Sequence, residues 1–275
     1  MEDNQDRQLK QELQFLLRPP GWPQTPFKKT HEQRVILMLI GILQTGEVPP
    51  ELRAQHGNND QMIADLLSTH NPGFDFRVFR VLDNHFPESA GECEGWLISG
   101  SKYSCYEELA WIERLKRFIT EIADSDRPLI GICFGHQVIA DALGGRVARS
   151  EKGWGVGLDT YTMSPDSPIA PEEKLTFNIF HQDQVLEPPP GARRIASSPF
   201  CPNAGFLIGS RILTIQAHPE FKRRYNHQLL KERKGVLVPD DIADHALAQL
   251  EDKNLKVDSS HLGEVMSDFL TAHSK

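Results

Sequence analysis

The chain has 275 residues, 39% of them apolar, which suffices to bury one large α/β core as a single domain. Thirty basic against 38 acidic residues give a formal charge of −8, so no cationic surface for nucleic acid or anionic lipid is expected and neither is a partner. Cys93, Cys105, Cys133 and Cys201 lack metal-ligand spacing, so no metal is expected and free thiols in a reducing compartment are the simplest state.

The start Met1-Glu2-Asp3-Asn4 has neither the basic residues of a signal peptide nor the acid-poor composition of a transit peptide, and a cytoplasmic protein is expected. Residues 1–33 read as an N-terminal extension, and 34–275 as the main domain. Leu9, Leu13, Leu16 and Leu17 recur at helical spacing, predicting an amphipathic helix over Asp6 to Leu17 that Pro19-Pro20 stops. That stripe either packs on the domain, joins a partner or shields a cleft; the first is the plainest reading. The apolar run Val35 to Leu43 falls far short of the ~20 residues that cross a membrane and predicts a buried first strand. A loop through Pro49-Pro50, a helix over Met62 to Leu67 and a strand over Phe74 to Val81 follow. The strand Trp96-Leu97-Ile98 ends at Gly100. The helix predicted next, Tyr106 to Ala123, sets Leu109, Ile112, Leu115, Ile119 and Ile122 on one face.

Pro128 to Gln137 (Pro-Leu-Ile-Gly-Ile-Cys-Phe-Gly-His-Gln) reads as a buried strand that breaks sharply into a helix with Cys133 at the bend. Gly-x-Cys-x-Gly has the logic of a nucleophile elbow: small neighbours allow the tight turn that carries the side chain to the sheet's edge. The following helix favours thiolate over thiol, and the Phe134 N–H can point at an oxyanion. The plain alternative is an ordinary core cysteine. Gly144-Gly145 ends the helix. Short strands over Gly157 to Met163, Thr176 to Phe180 and Phe206 to Ile208 predict an antiparallel section. Another strand runs into Ile215-Gln216-Ala217-His218-Pro219-Glu220-Phe221. A thiol nucleophile needs a base that takes and returns a proton near pH 7, and His218 fits it. Glu220 can accept the imidazole N–H and hold its tautomer, which completes a nucleophile, base and orienter set. Helices over Lys222 to Lys234, Ala243 to Leu250 and His261 to Ala272 close the chain. The alternation predicts an α/β fold: a mostly parallel open sheet with helices on both faces and an antiparallel section.

The Cys133 elbow followed by Gly135-His136-Gln137, together with the distal His218-Pro219-Glu220, resembles the class I glutamine amidotransferases, from Arg34 to the C-terminus. The resemblance extends to stand-alone members related to γ-glutamyl peptidases and to the glutaminase domain of GMP synthase. It implies a flavodoxin-like fold, attack of Cys133 on a γ-glutamyl amide, a γ-glutamyl thioester and hydrolysis by water, with no cofactor. By the same resemblance Gln137 helps bind the glutamyl group and the Gly100-Ser101 turn supplies a second oxyanion N–H. Better-known members carry Gly-Gly-Pro where this chain has Gly100-Ser101-Lys102, which leaves open the amide that points into the hole. His181-Gln182-Asp183 sits where the family has a His-x-Asp substrate turn, so these residues either contact the substrate or cap a turn locally. Lys102 either meets a substrate carboxylate or is a solvated loop lysine. No phosphate-cradling glycine loop stands in the chain, so ammonia would pass to a separate synthetase or acceptor protein, or the leaving group is an amine and the enzyme a γ-glutamyl peptidase. A non-catalytic binding or regulatory module on the same fold is the alternative from another class.

Overall fold

Short apolar segments hidden on both faces form the parallel heart of a mixed sheet in the computed structural model, which describes residues 37–274. The strands are β1 (Met38–Leu43), β2 (Phe74–Phe79), β3 (Gly95–Ile98), β4 (Leu129–Ile132), β5 (Arg146–Arg149), β6 (Gly155–Met163), β7 (Lys174–His181), β8 (Asp183–Glu187), β9 (Ala192–Ser197), β10 (Gly205–Ile208) and β11 (Ile212–Ile215). The helices are α1 (Pro50–His56), α2 (Asn59–His70), α3 (Ala110–Asp124), α4 (Phe134–Ala142), α5 (Arg223–Arg233), α6 (Asp240–Glu251) and α7 (Ser259–His273). Among the described residues no helix is long and apolar enough to cross a membrane.

Nine of the described strands form one sheet in the order β2-β1-β3-β4-β11-β10-β9-β6-β7. β2 through β11 run parallel, and every pairing from β11 to β7 is antiparallel. β5 and β8 pair separately. Continuous apolar strands such as β3 and β4 need cover on both faces, and they have it. Ile63, Leu67, Leu262, Met266 and Phe269 of α2 and α7 close one face over Ile40, Leu97 and Ile130. Ile112, Leu115, Ile119, Ile122 and Val138 of α3 and α4 close the other over Trp96, Ile98 and Leu129. α6 covers the antiparallel part, where Ala243 and Ala246 meet Val156 and Leu158. β10 returns into β11 through the turn 209–211, with Ile208 opposite Ile212 and Gly209 at φ 57°.

Several boundaries differ from the sequence expectations, a helix α1 stands where a loop through Pro49-Pro50 was expected, and three of the shifts have a cause in named contacts or exposure. α3 begins at Ala110 rather than Tyr106, because the segment before it is held by other partners: Ser104 N–H donates to the Glu107 carboxylate at 2.6 Å, and Tyr106 OH reaches Asp183. β2 ends at Phe79, where Arg80 turns to pair with Glu47 and Asp83 and a 3-10 turn starts at Val81. β1 begins at Met38, and Leu37 before it is exposed. The predicted helix over Asp6 to Leu17, and the boundary at residue 34, lie outside the described residues.

Candidate active site

β4 ends at Ile132 and α4 begins at Phe134, so Cys133 makes the entire strand-to-helix turn, at φ 52° and ψ −101°. A side chain in this region is strained, by about 1–3 kcal/mol, and the surroundings must hold it there. They do so by crowding. A Cβ at Gly131 would stand 2.6 Å from Ile139 Cδ1, and one at Gly135 would stand 2.4 Å from the carbonyl oxygen of Ile98. Glycine on either side is therefore a packing requirement. The Cys133 N–H donates to Ile215 O at 2.9 Å, tying the elbow to the neighbouring strand. Phe134 opens α4, where the first N–H groups have no partner inside the helix.

That neighbouring strand brings the second half of the site. Ile215 lies opposite Ile132 in the parallel register, and three residues later His218 is held by its N–H to Asn178 O at 2.9 Å. Asn178 also donates to Phe221 O at 2.8 Å, and Asn226 donates to Asn178 and to Gly157 O, so a buried amide pair fixes the bend around Pro219. The imidazole stacks on Phe221 with centroids 4.0 Å apart and planes at 9°. Its Nδ1 meets Glu220 Oε1 at 2.7 Å; a carboxylate accepts, so Nδ1 carries a proton. Burial opposes charge on His218, but Cys133 and then Glu220 outweigh it and raise its pKa to about 10. A Cβ at Gly100 would come 2.8 Å from His218 Cε1 and 3.8 Å from Cys133 Cβ, so the loop after β3 closes over both side chains.

That loop is pinned to the one after β1. Thr45 N–H donates to Ser99 Oγ at 3.0 Å, Thr45 Oγ1 to Ser99 O at 2.9 Å, and Ser101 Oγ to Thr45 O at 2.7 Å. Lys102 is exposed and its ammonium rests 5.3 Å from the centre of the Tyr103 ring. His181 is buried at the end of β7; its Nδ1 meets Asp183 O at 3.1 Å, and burial lowers its pKa to about 4. The Asp183 carboxylate accepts from Ser104 Oγ at 2.5 Å and Tyr106 OH at 3.1 Å, which are turn and loop contacts. Gln182, half-buried, accepts the Ser150 N–H on its carbonyl. Gln137 is buried with its amide nitrogen turned inward, to Asp183 O and Gln216 Oε1. The sequence reading missed Gln216, whose side chain reaches Cys133 Sγ at 3.6 Å. Its signal was present: a glutamine in an apolar strand two residues before His218 must find a buried partner.

Comparison with known proteins agrees with this architecture. The profile described as glutamine amidotransferase class-I matches residues 60–234. γ-Glutamyl peptidase 2 of Arabidopsis thaliana is 33% identical over 210 residues, covering 72% of this chain and 82% of that protein. A putative glutamine amidotransferase of Saccharomyces cerevisiae is 39% identical over 156 residues, 54% of this chain and 62% of its own. The solved glutamine amidotransferase of Thermotoga maritima superposes with a TM-score of 0.67 at 21% identity, over 85% of this chain and 97% of that one, which speaks for the fold. With the profile covering well over half its length, including both the Cys133 elbow and the His218 bend, the chain belongs to the class I glutamine amidotransferase family.

Proposed function

We propose that the protein hydrolyses γ-glutamyl amide bonds through a thioester on Cys133, and the observation that carries this is the elbow cysteine set beside a buried His218–Glu220 pair. The thiolate attacks the γ-carbonyl carbon. The oxyanion that forms accepts from the Phe134 N–H and from an amide of the Gly100-Ser101 turn. As the C–N bond breaks, His218 gives its proton to the leaving nitrogen, and a γ-glutamyl thioester remains. His218 then takes a proton from water, the hydroxide adds to the thioester, and glutamate leaves as the thiolate returns. Glu220 holds the imidazole tautomer throughout.

Relatives named γ-glutamyl peptidases, 30% to 35% identical over 70% to 84% of their length, support a γ-glutamyl peptide as substrate. The putative amidotransferase and GMP synthase matches support glutamine, with ammonia passing to a separate synthetase or acceptor. Assays of glutamate release from glutamine, γ-glutamyl dipeptides and glutathione conjugates, without ATP or added metal, separate these. Release from at least one of them, abolished in a folded Cys133→Ala, is expected. Absence of turnover on all of them would leave the non-catalytic module as the better reading. An electrophilic glutamine mimic should modify Cys133 first: burial pushes the thiols of Cys93 to about 11 and Cys201 to about 12, and that of Cys105 higher still. Earlier labelling of any of those three would sink the assignment.

A further inference from the structure

Gln216 is fully buried between β11 and His218, and the direction of its amide follows from a chain of hydrogen bonds with one fixed end. The carbonyl oxygen of Asp183 can only accept, so the group 2.8 Å from it must be the NH2 of Gln137. The same nitrogen lies 3.1 Å from the Gln216 side chain, which must then present its oxygen. The NH2 of Gln216 is left facing Sγ of Cys133 at 3.6 Å, a donor distance suited to the large radius of sulfur. Flipping either amide would set donor against donor or acceptor against acceptor. A backbone carbonyl at the β7–β8 turn thus determines that the sulfur meets a hydrogen.

We propose that Gln216 is a positioning residue which, through its N–H, favours the thiolate form of Cys133, and that Gln137 serves to hold Gln216 in that direction. The inference rests on Cys133 being the nucleophile. The titratable groups around the sulfur come from four elements. His218 follows β11, with Glu220 behind it. Tyr161 of β6 and Cys201 of the β9–β10 segment both interact electrostatically with Cys133, and burial keeps both protonated near neutral pH. His181, at the end of β7, interacts with His218 and stays neutral. His218 is thus the cation of this set, and an amide donor supports the thiolate without competing for a proton. The same N–H stabilises the sulfur as leaving group when water opens the thioester.

The pH dependence of Cys133 alkylation by iodoacetamide, read by mass spectrometry of the Cys133 peptide, tests this without any substrate. Gln216→Met keeps the volume and removes the donor, while Gln216→Glu keeps the shape and replaces the NH2 with an acceptor oxygen. The inflection is expected to move up by about one pH unit in Gln216→Met, with about tenfold slower labelling on its acid side, and further in Gln216→Glu. Gln137→Met should move it the same way by less. An inflection in a folded Gln216→Met or Gln216→Glu that coincides with the parent protein overturns the proposal. Should Gln216→Met fail to fold, the isosteric Glu variant decides alone. Failure of the proposed function has different signatures: the parent protein would release glutamate from none of the substrates, or Cys133→Ala would still release it, whatever the alkylation profiles show.

Discussion

His136 stands next to the proposed machinery, fully buried and with both ring nitrogens already engaged elsewhere. Its Nε2 lies 3.0 Å from Asn203 O, a pure acceptor, so Nε2 carries the proton and Nδ1 accepts from Thr214 Oγ1 at 2.8 Å. Burial lowers its pKa to about 3, as it lowers that of His181 to about 4. Unfolded, both take up a proton below about pH 6.5. Between that pH and the folded values the unfolded chain holds more protons, so stability should fall as pH drops through this window. Urea denaturation near neutrality and at about pH 5 should show the loss, and His136→Gln should lessen it; an equally steep acid limb in that variant would refute the assignment. A second prediction concerns Glu220, which is buried with one oxygen on His218. His218→Ala would strand that carboxylate and should lower stability by about 3–5 kcal/mol as well as abolishing turnover. Adding Glu220→Gln should recover part of the stability and none of the activity. Cys133, His218 and Glu220 were legible in the sequence because each sits in a short motif whose spacing the chemistry dictates. Gln216, Asn178, Asn226 and Thr45 were not, since what they do depends on partners far along the chain.

At the scale of elements, the elbow illustrates how backbone packing takes precedence over side-chain choice. Gly135→Ala presses a methyl against the Ile98 carbonyl and should lower stability by about 1–3 kcal/mol, measurable by denaturant titration; an unchanged midpoint would show that α4 can shift. The segment before α3 carries a different lesson. Its pattern continues the helix back to Tyr106, yet Asp183 holds Ser104 and Tyr106 in a loop, and that loop carries Gly100 and Ser101. Asp183→Ala should therefore slow turnover several-fold while shifting the denaturation midpoint little, because these contacts are partly exposed. Full activity in that variant would remove Asp183 from both the loop-holding and the substrate-contact readings. Helix periodicity made α3 itself predictable, whereas its first turn was decided by a residue that no local window contains.

For the whole molecule, the β-α-β alternation and the antiparallel stretch were readable from pattern, but the strand order was not. Nothing local announces that β11 returns to lie between β4 and β10, and that adjacency brings His218 to Cys133, the proposed base to the proposed nucleophile. The tight turn 209–211, at the end of β11 remote from Cys133, consequently acts as a phase setter for the chemistry. Side chains alternate faces along a strand, so one extra residue absorbed by sliding β11 exchanges the faces of everything it carries toward the site. Inserting one residue into 209–211 should give a protein that retains much of its helix signal yet neither alkylates rapidly at Cys133 nor turns over substrate.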